Sequence, residues 1–262
     1  MDWHIGTIGY SYRDWRGAFY PANIPVRSYL NYYSRVFNSV ELDTTFYGIP
    51  RLSVIHQWSA AVPEGFYFCL KTPKAITHEL GLLDAGSLME EFINTVRELG
   101  NSLGVILIQL PPSFTFERIE VLANFLSGLT RDVRYAVELR SKTWYEQEAL
   151  TAALLTENNI CWTAIDMPGI PSKIIPTCRF LYIRWIGQHG AYHPHSHERI
   201  LRTAEQEEWL AQIVSVQNEV DQLFGFFNND YCGFAAGTAR RFKSLAGLPD
   251  DVDNTEAQMR LF

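Results

Sequence analysis

Gly104-Val-Ile-Leu-Ile-Gln-Leu110 carries no polar side chain except Gln109, and Pro111-Pro112 ends it. A run this short and this apolar reads as a strand buried on both faces, so helices must cover the sheet on either side of it. The rest of the chain supplies them. Strand-like runs at Trp3–Gly9, Asn38–Tyr47, Phe66–Lys71, Tyr135–Leu139, Ile160–Asp166, Phe180–Ile186 and Leu223–Asn228 alternate with helical patterns. Those helices are expected over Pro25–Phe37, Leu52–Val62, Ser87–Leu99, Glu117–Leu129, Glu146–Asn158, Ala204–Val220 and Ala239–Leu245, with Ser53 and Thr238 as caps. Pro168–Pro176 holds three prolines, which leaves the sixth helix short or missing.

Eight strands alternating with helices over 262 residues predict an α/β fold: a single-domain (β/α)8 TIM-type barrel over residues 1–248. An open doubly wound sheet is the alternative, but Gly6-Thr-Ile-Gly9 lacks the third glycine of a dinucleotide-binding turn. From Pro249 onward the chain reads as an acidic C-terminal tail, 249–262.

Composition narrows the function. With 22 Lys and Arg against 29 Asp and Glu the net charge is −7, which argues against a protein held on nucleic acid by bulk charge. No apolar run reaches membrane length, and no basic segment followed by an apolar one opens the chain, so a cytoplasmic protein with no membrane partner is expected. Cys69, Cys161, Cys178 and Cys232 show no metal-ligand spacing and read as free thiols.

The chemistry is expected at the carboxyl ends of the strands. In Asn38-Ser-Val-Glu-Leu-Asp-Thr-Thr-Phe-Tyr47, Glu41, Asp43 and Thr45 share one face at period two, and Val40, Leu42 and Thr44 share the other. Carboxylates on a central strand must find buried bases or line a cavity. Strand parity predicts Lys71, Gln109, Glu138, Arg140, Asp166, Arg184, Asn228 and Asp230 in the same interior. Glu41, Lys71, Glu138 and Arg140 are the candidate catalytic groups, either carboxylate serving as general base. Arg184, Gln109, Asp166, Asn228 and Asp230 are the candidate substrate contacts, with His78, Tyr10 and Trp15 from the loops. Lys and two Arg suit an anionic group such as phosphate. Gly233, Gly237 and Thr238 before Arg240 and Arg241 stand where barrels often hold phosphate. A buried ion-pair network serving stability alone is the competing explanation. His189, His193, His195 and His197 crowd one loop with no acid at a diagnostic spacing, so they read as solvated surface and no metal site is assigned.

Several stretches resemble the YecE-like family of proteins of unknown function, DUF72. They are Gly6-Thr-Ile-Gly-Tyr-Ser-Tyr-Arg-Asp-Trp15, Phe19-Tyr-Pro21, Val40-Glu-Leu-Asp-Thr-Thr-Phe-Tyr47 and Lys71-Thr-Pro-Lys-Ala-Ile-Thr-His78, with Gln109-Leu-Pro-Pro-Ser-Phe114, Ala136-Val-Glu-Leu-Arg140 and Phe227-Asn-Asn-Asp230. The resemblance runs from about residue 4 to about residue 247 and implies a (β/α)8-type barrel. It implies no activity and no cofactor. Three functions stay open: an enzyme acting on a phosphate ester, in the setting of DNA repair; a metal-free enzyme on a small anionic metabolite such as a sugar phosphate; and a non-catalytic binding module.

The chain ends Gln258-Met-Arg-Leu-Phe262 after Pro249-Asp-Asp-Val-Asp-Asn-Thr-Glu256. This resembles the Gln-x-x-Leu-Phe peptide by which bacterial replication and repair proteins dock on the sliding clamp. Leu261 and Phe262 would be the apolar anchors, with Gln258 at the pocket rim. The alternative is that both anchors fold back on the barrel.

Overall fold

The computed structural model describes residues 1–249. The expected clamp-docking residues Gln258, Leu261 and Phe262 lie outside the described residues. Nine strands occur among the described residues. They are β1 (Asp2–Thr7), β2 (Ser39–Leu42), β3 (Tyr67–Lys71), β4 (Leu103–Gln109), β5 (Arg134–Glu138), β6 (Cys161–Trp162), β7 (Ala164–Asp166), β8 (Phe180–Trp185) and β9 (Gln222–Phe227). All are paired in parallel, in a four-stranded sheet ordered β1-β9-β8-β7 and a five-stranded sheet ordered β2-β3-β4-β5-β6. The chain is therefore a single-domain α/β protein with parallel sheets.

The expected sixth strand is two pieces because its backbone changes partner at Thr163. Before that residue it pairs with β5 and after it with β8, and the Thr163 N–H donates to the Val137 carbonyl at 2.9 Å. At the other junction, β1 runs beside β2. Ile8 bridges Glu41, and the Gly9 N–H reaches the Glu41 carbonyl at 2.7 Å. A side chain at Gly6 would collide with the Ser39 carbonyl of β2, so glycine is what permits this approach.

The helices are α1 (Tyr29–Tyr33), α2 (Leu52–Ala60), α3 (Gly86–Val96), α4 (Ile119–Ser127), α5 (Lys142–Glu146), α6 (Glu148–Glu157), α7 (Thr203–Val216), α8 (Asn229–Cys232) and α9 (Ala235–Leu245). Most begin or end within a few residues of expectation. The helix expected from Pro25 to Phe37 is reduced to a 3-10 turn at Val26–Ser28 followed by α1. No helix lies between β7 and β8, as the prolines require. Two expected caps are corrected. Ser53 is inside α2, whose N-cap is Arg51. Thr238 is inside α9, whose N-cap is Phe234, and its hydroxyl donates back to the Phe234 carbonyl.

Strand alternation produces two apolar layers. Val40, Leu70, Ile106, Val137, Ile183 and Leu223 face the helices. Cys69, Val105, Leu107, Ala136, Tyr182 and Phe224 face the opposite way and pack on one another. Trp185 stacks on Phe227 at 4.2 Å and meets Phe242 at 4.9 Å, which docks α9 on β8 and β9. Each large side chain removed from water in this way contributes roughly 1.5–3 kcal/mol. No described helix is long and apolar enough to cross a membrane.

Candidate functional site

At the carboxyl ends of β2, β5 and β8 the inward layer changes from apolar to charged. Arg184, 3% exposed, lies between Glu41 and Glu138, both 0% exposed. Its Nε and Nη2 donate to the two oxygens of Glu41 at 2.9 and 2.7 Å, and its Nη1 donates to Glu138 at 2.5 Å. The Tyr182 hydroxyl, two positions before Arg184, donates to Glu41 at 2.8 Å. Arg140 Nε donates to the second oxygen of Glu138 at 2.5 Å. Burial raises the Glu138 pKa, but Arg140 and Arg184 outweigh it and hold the carboxyl down to about 2. Burial works against the charge on Arg184, yet Glu138 and Glu41 keep its pKa above the usual guanidinium value.

Arg140 is the edge of this cluster, with 23% of its side chain exposed. Its terminal nitrogens form no hydrogen bond to the described residues. Lys71, from β3, is half-buried, and its side chain has neither an ion pair nor a hydrogen bond among the described residues. Its ammonium sits 4.0 Å above the Phe46 ring. Burial and then the Arg184 charge lower the Lys71 pKa to about 8. His78 meets the same Phe46 ring edge-on at 4.9 Å. Burial, Lys71 and Arg140 all lower its pKa. The sequence places His78 in a loop, whereas it lies on a short π-helix, Ala75–Glu79, with Thr77 Oγ1 2.8 Å from its Nδ1.

The other expected site residues are dispersed. Gln109 is buried, pairs in register with Glu138, and donates to the Leu110 carbonyl at 2.7 Å. Asp166 is on the helix-facing side of β7, because the parity of that strand points Ile165 inward. It accepts a 2.8 Å hydrogen bond from Trp209 of α7 and does not join the cluster. Asn228 caps α8 by accepting the Asp230 N–H at 2.9 Å, and Asp230 turns towards the histidine loop, accepting the Gly190 N–H at 2.8 Å. Asp43 and Thr45 do not extend the inward face of β2. The strand ends at Leu42, Asp43 begins a 3-10 turn, and Thr45 donates to the Lys71 carbonyl at 2.6 Å.

Trp15 is not open to a substrate. It is 0% exposed and bonded to Asn229 at 3.1 Å. Tyr10 is half-buried against Tyr33, and its carbonyl accepts the Tyr20 hydroxyl at 2.7 Å. The expected anion site before α9 is also corrected. Arg241 is neutralised by Glu198 at 2.8 Å, and Thr238 donates to the same carboxylate at 2.7 Å.

Two contributors escaped the sequence reading. Tyr182 shares the parity of Arg184, and that signal was available. Phe46 lies beyond the end of β2, and only its packing against Lys71 marks it.

Comparison with known proteins identifies the family. The family described as "Protein of unknown function DUF72" matches residues 4–260. UPF0759 protein YecE of Escherichia coli K12 is 32% identical over 129 residues, which is 48% of this chain and 47% of YecE. The matched stretch thus spans about half the length of that curated relative. UPF0759 protein YunF of Bacillus subtilis is 25% identical over 273 residues, 94% of this chain and 95% of YunF. A DUF72 family protein from Thermotoga maritima superposes with a TM-score of 0.82 at 28% identity, covering 94% of this chain and 100% of that one. One from Enterococcus faecalis gives 0.77 at 21% identity, covering 94% and 96%, a likeness of fold. The chain belongs to the DUF72 family of proteins of unknown function.

Proposed function

We propose that the carboxyl ends of the strands bind a phosphate-bearing ligand between Lys71 and Arg140, with His78 beside them. One observation carries this reading. Lys71, Arg140 and Arg184 face only Glu41 and Glu138 in the cluster, and Arg184 consumes both oxygens of Glu41. Among the described residues one cationic charge is left without a partner in a partly dry site, where an anion interacts more strongly than in water. Lys71 contributes charge, and its pKa of about 8 suits it to proton transfer near neutral pH. Arg140 offers its terminal nitrogens as a fork. Glu41 and Glu138 are sealed by Arg184, so they position the cations rather than act as general bases.

This reading takes the two sheets as halves of one (β/α)8-type barrel. The Ile8–Glu41 bridge and the change of partner at Thr163 support it. The substrate class we favour is a phosphate ester. Its DNA setting rests on the sequence of the tail through Gln258, Leu261 and Phe262.

Thermal unfolding with inorganic phosphate, a sugar phosphate and a nucleotide tests the proposal. A ligand-dependent rise in Tm is expected by mass action, and it should vanish in Arg140→Glu and Lys71→Met. No rise with any of the three, or the same rise in both variants, would count against it.

A further inference from the structure

The loops after β1, β8 and β9 meet over one end of the four-stranded sheet, where those strands are neighbours. They bring together Asp14, His193 and His195, whose ligating atoms all lie within 4.8 Å of one another. Asp14 Oδ2 stands 3.8 Å from His193 Nδ1 and accepts the backbone N–H of His195 at 3.0 Å. Asp230, only 8% exposed, lies against His195. Its Oδ1 is 3.7 Å from His195 Nε2, and both atoms are buried without a hydrogen-bond partner. The two atoms face each other, so the Asp230 carboxylate can orient the His195 ring and leave its other nitrogen for a ligand.

We propose that Asp14, His193 and His195 bind a divalent first-row transition ion, with Asp230 as the carboxylate that orients the His195 ring. Two imidazoles and one carboxylate form a borderline donor set that favours Zn²⁺ over Mg²⁺ and leaves a coordination position open. Ligand atoms of a tetrahedral ion with bonds of about 2.0–2.1 Å stand about 3.3 Å apart. The observed separations, 3.8 Å between Asp14 and His193 and no more than 4.8 Å across the group, close by side-chain movements for which His193, 81% exposed, has room. With Nε2 turned to Asp230, Nδ1 of His195 is the nitrogen left for the ion, the arrangement in which an acid fixes a ligating imidazole.

The loop is held in place for this role. Gly187 adopts a φ of +70°, and a side chain there would collide with the Asp230 backbone. Arg199 ties down the Pro194 carbonyl at 3.2 Å. The site adjoins the charged cluster through Tyr12. Its ring approaches His195 at 6.4 Å, and its hydroxyl donates to the carbonyl of Ile8, the residue bridged to Glu41. These histidines read as solvated surface in the sequence because their acid, Asp14, is 181 residues from His195. The ion's ligands are separate from Lys71 and Arg140, so the two sites stand or fall independently.

The test is calorimetric titration of the full-length, chelator-stripped protein with ZnCl₂ and with MgCl₂, followed by visible absorption of the Co²⁺ form. One Zn²⁺ per chain is expected, with little Mg²⁺ binding. A loss of at least about 100-fold is expected in Asp14→Asn and His193→Ala, and about 10–100-fold in Asp230→Asn. His193 is exposed, so His193→Ala keeps the test open if changes at the buried residues impair folding. His197→Ala should bind as the wild type does. Absence of Zn²⁺ binding, equal affinity in His193→Ala, or loss only in His197→Ala would overturn the proposal, the last as casual capture by the loop.

Discussion

Arg184 and Glu41 form a two-pronged ion pair across the interior, at 2.7 and 2.9 Å, between residues 143 positions apart in the chain. The pair joins β8 of one sheet to β2 of the other, and Glu138 adds β5 to the same guanidinium. Buried pairs of this kind specify how elements sit more than they add net stability, because desolvation offsets much of the attraction. Here they also fix Arg140 and leave Lys71 as the surplus charge.

Removing the shared cation exposes this arrangement. Arg184→Met strands Glu41 without a counter-charge and should lower unfolding free energy by about 3–5 kcal/mol in urea titrations. Adding Glu41→Leu should recover part of that loss, since no unpaired carboxylate then remains on β2. A double variant less stable than Arg184→Met would show that the stranded Glu41 carboxylate is not the main source of the loss.

Acid stability follows from Glu138. Its folded pKa of about 2 lies below the unfolded value of roughly 4.3. The stabilisation is therefore complete above the unfolded value and lost as pH falls towards about 2, on the order of 3 kcal/mol in total. Arg140→Met removes one of the two cations holding the carboxyl down. Its folded pKa then lies nearer the unfolded value, so its Tm should fall less between about pH 5 and 2 than that of the wild type and level off at a higher pH. Coincident Tm profiles for the two proteins between about pH 2 and 5 would contradict the assignment.

Ligand binding should follow Lys71. Its free-state pKa of about 8 means the ammonium is lost as pH rises through that value. A bound anion raises the pKa, so affinity for a phosphate ligand should fall by up to about tenfold per pH unit above 8. Lys71→Met should bind weakly at every pH and lose this dependence. The check is titration calorimetry between about pH 6.5 and 9.5.

The tail sequence makes a separate statement. A fluorescent peptide of residues 250–262 should bind a bacterial sliding clamp in a polarisation titration, and Leu261→Ala with Phe262→Ala should abolish binding. Two apolar anchors beside a hydrogen-bonding Gln258 account for the expected loss. Equal signals from the two peptides would end the clamp reading.

The alternation of strands and helices was legible in the sequence because parallel sheets require runs such as Val105–Ile108, which stand out without any neighbour. Parity then found Glu41, Glu138 and Arg184 correctly, since each lies within or at the end of a regular strand. It failed where regularity stopped. Asp43 leaves the pattern because β2 ends one residue earlier, and Asp166 faces α7 because its strand follows the parity of Ile165. Trp15 looked like a surface aromatic because its loop is polar, yet Tyr20 and Phe234 bury it from other segments. The grouping of Asp14 with His193 and His195 carries no local signal, since loop packing alone assembles it. Net charge was similarly uninformative. A value of −7 for the chain conceals a site whose own balance is positive.

The anion site is tested most directly by a crystal structure of the protein with a phosphorylated ligand. The phosphate is expected within hydrogen-bond reach of both Lys71 Nζ and the terminal nitrogens of Arg140, with Arg184 still clamped between Glu41 and Glu138. A phosphate bound elsewhere, with Lys71 and Arg140 unchanged, would contradict the account.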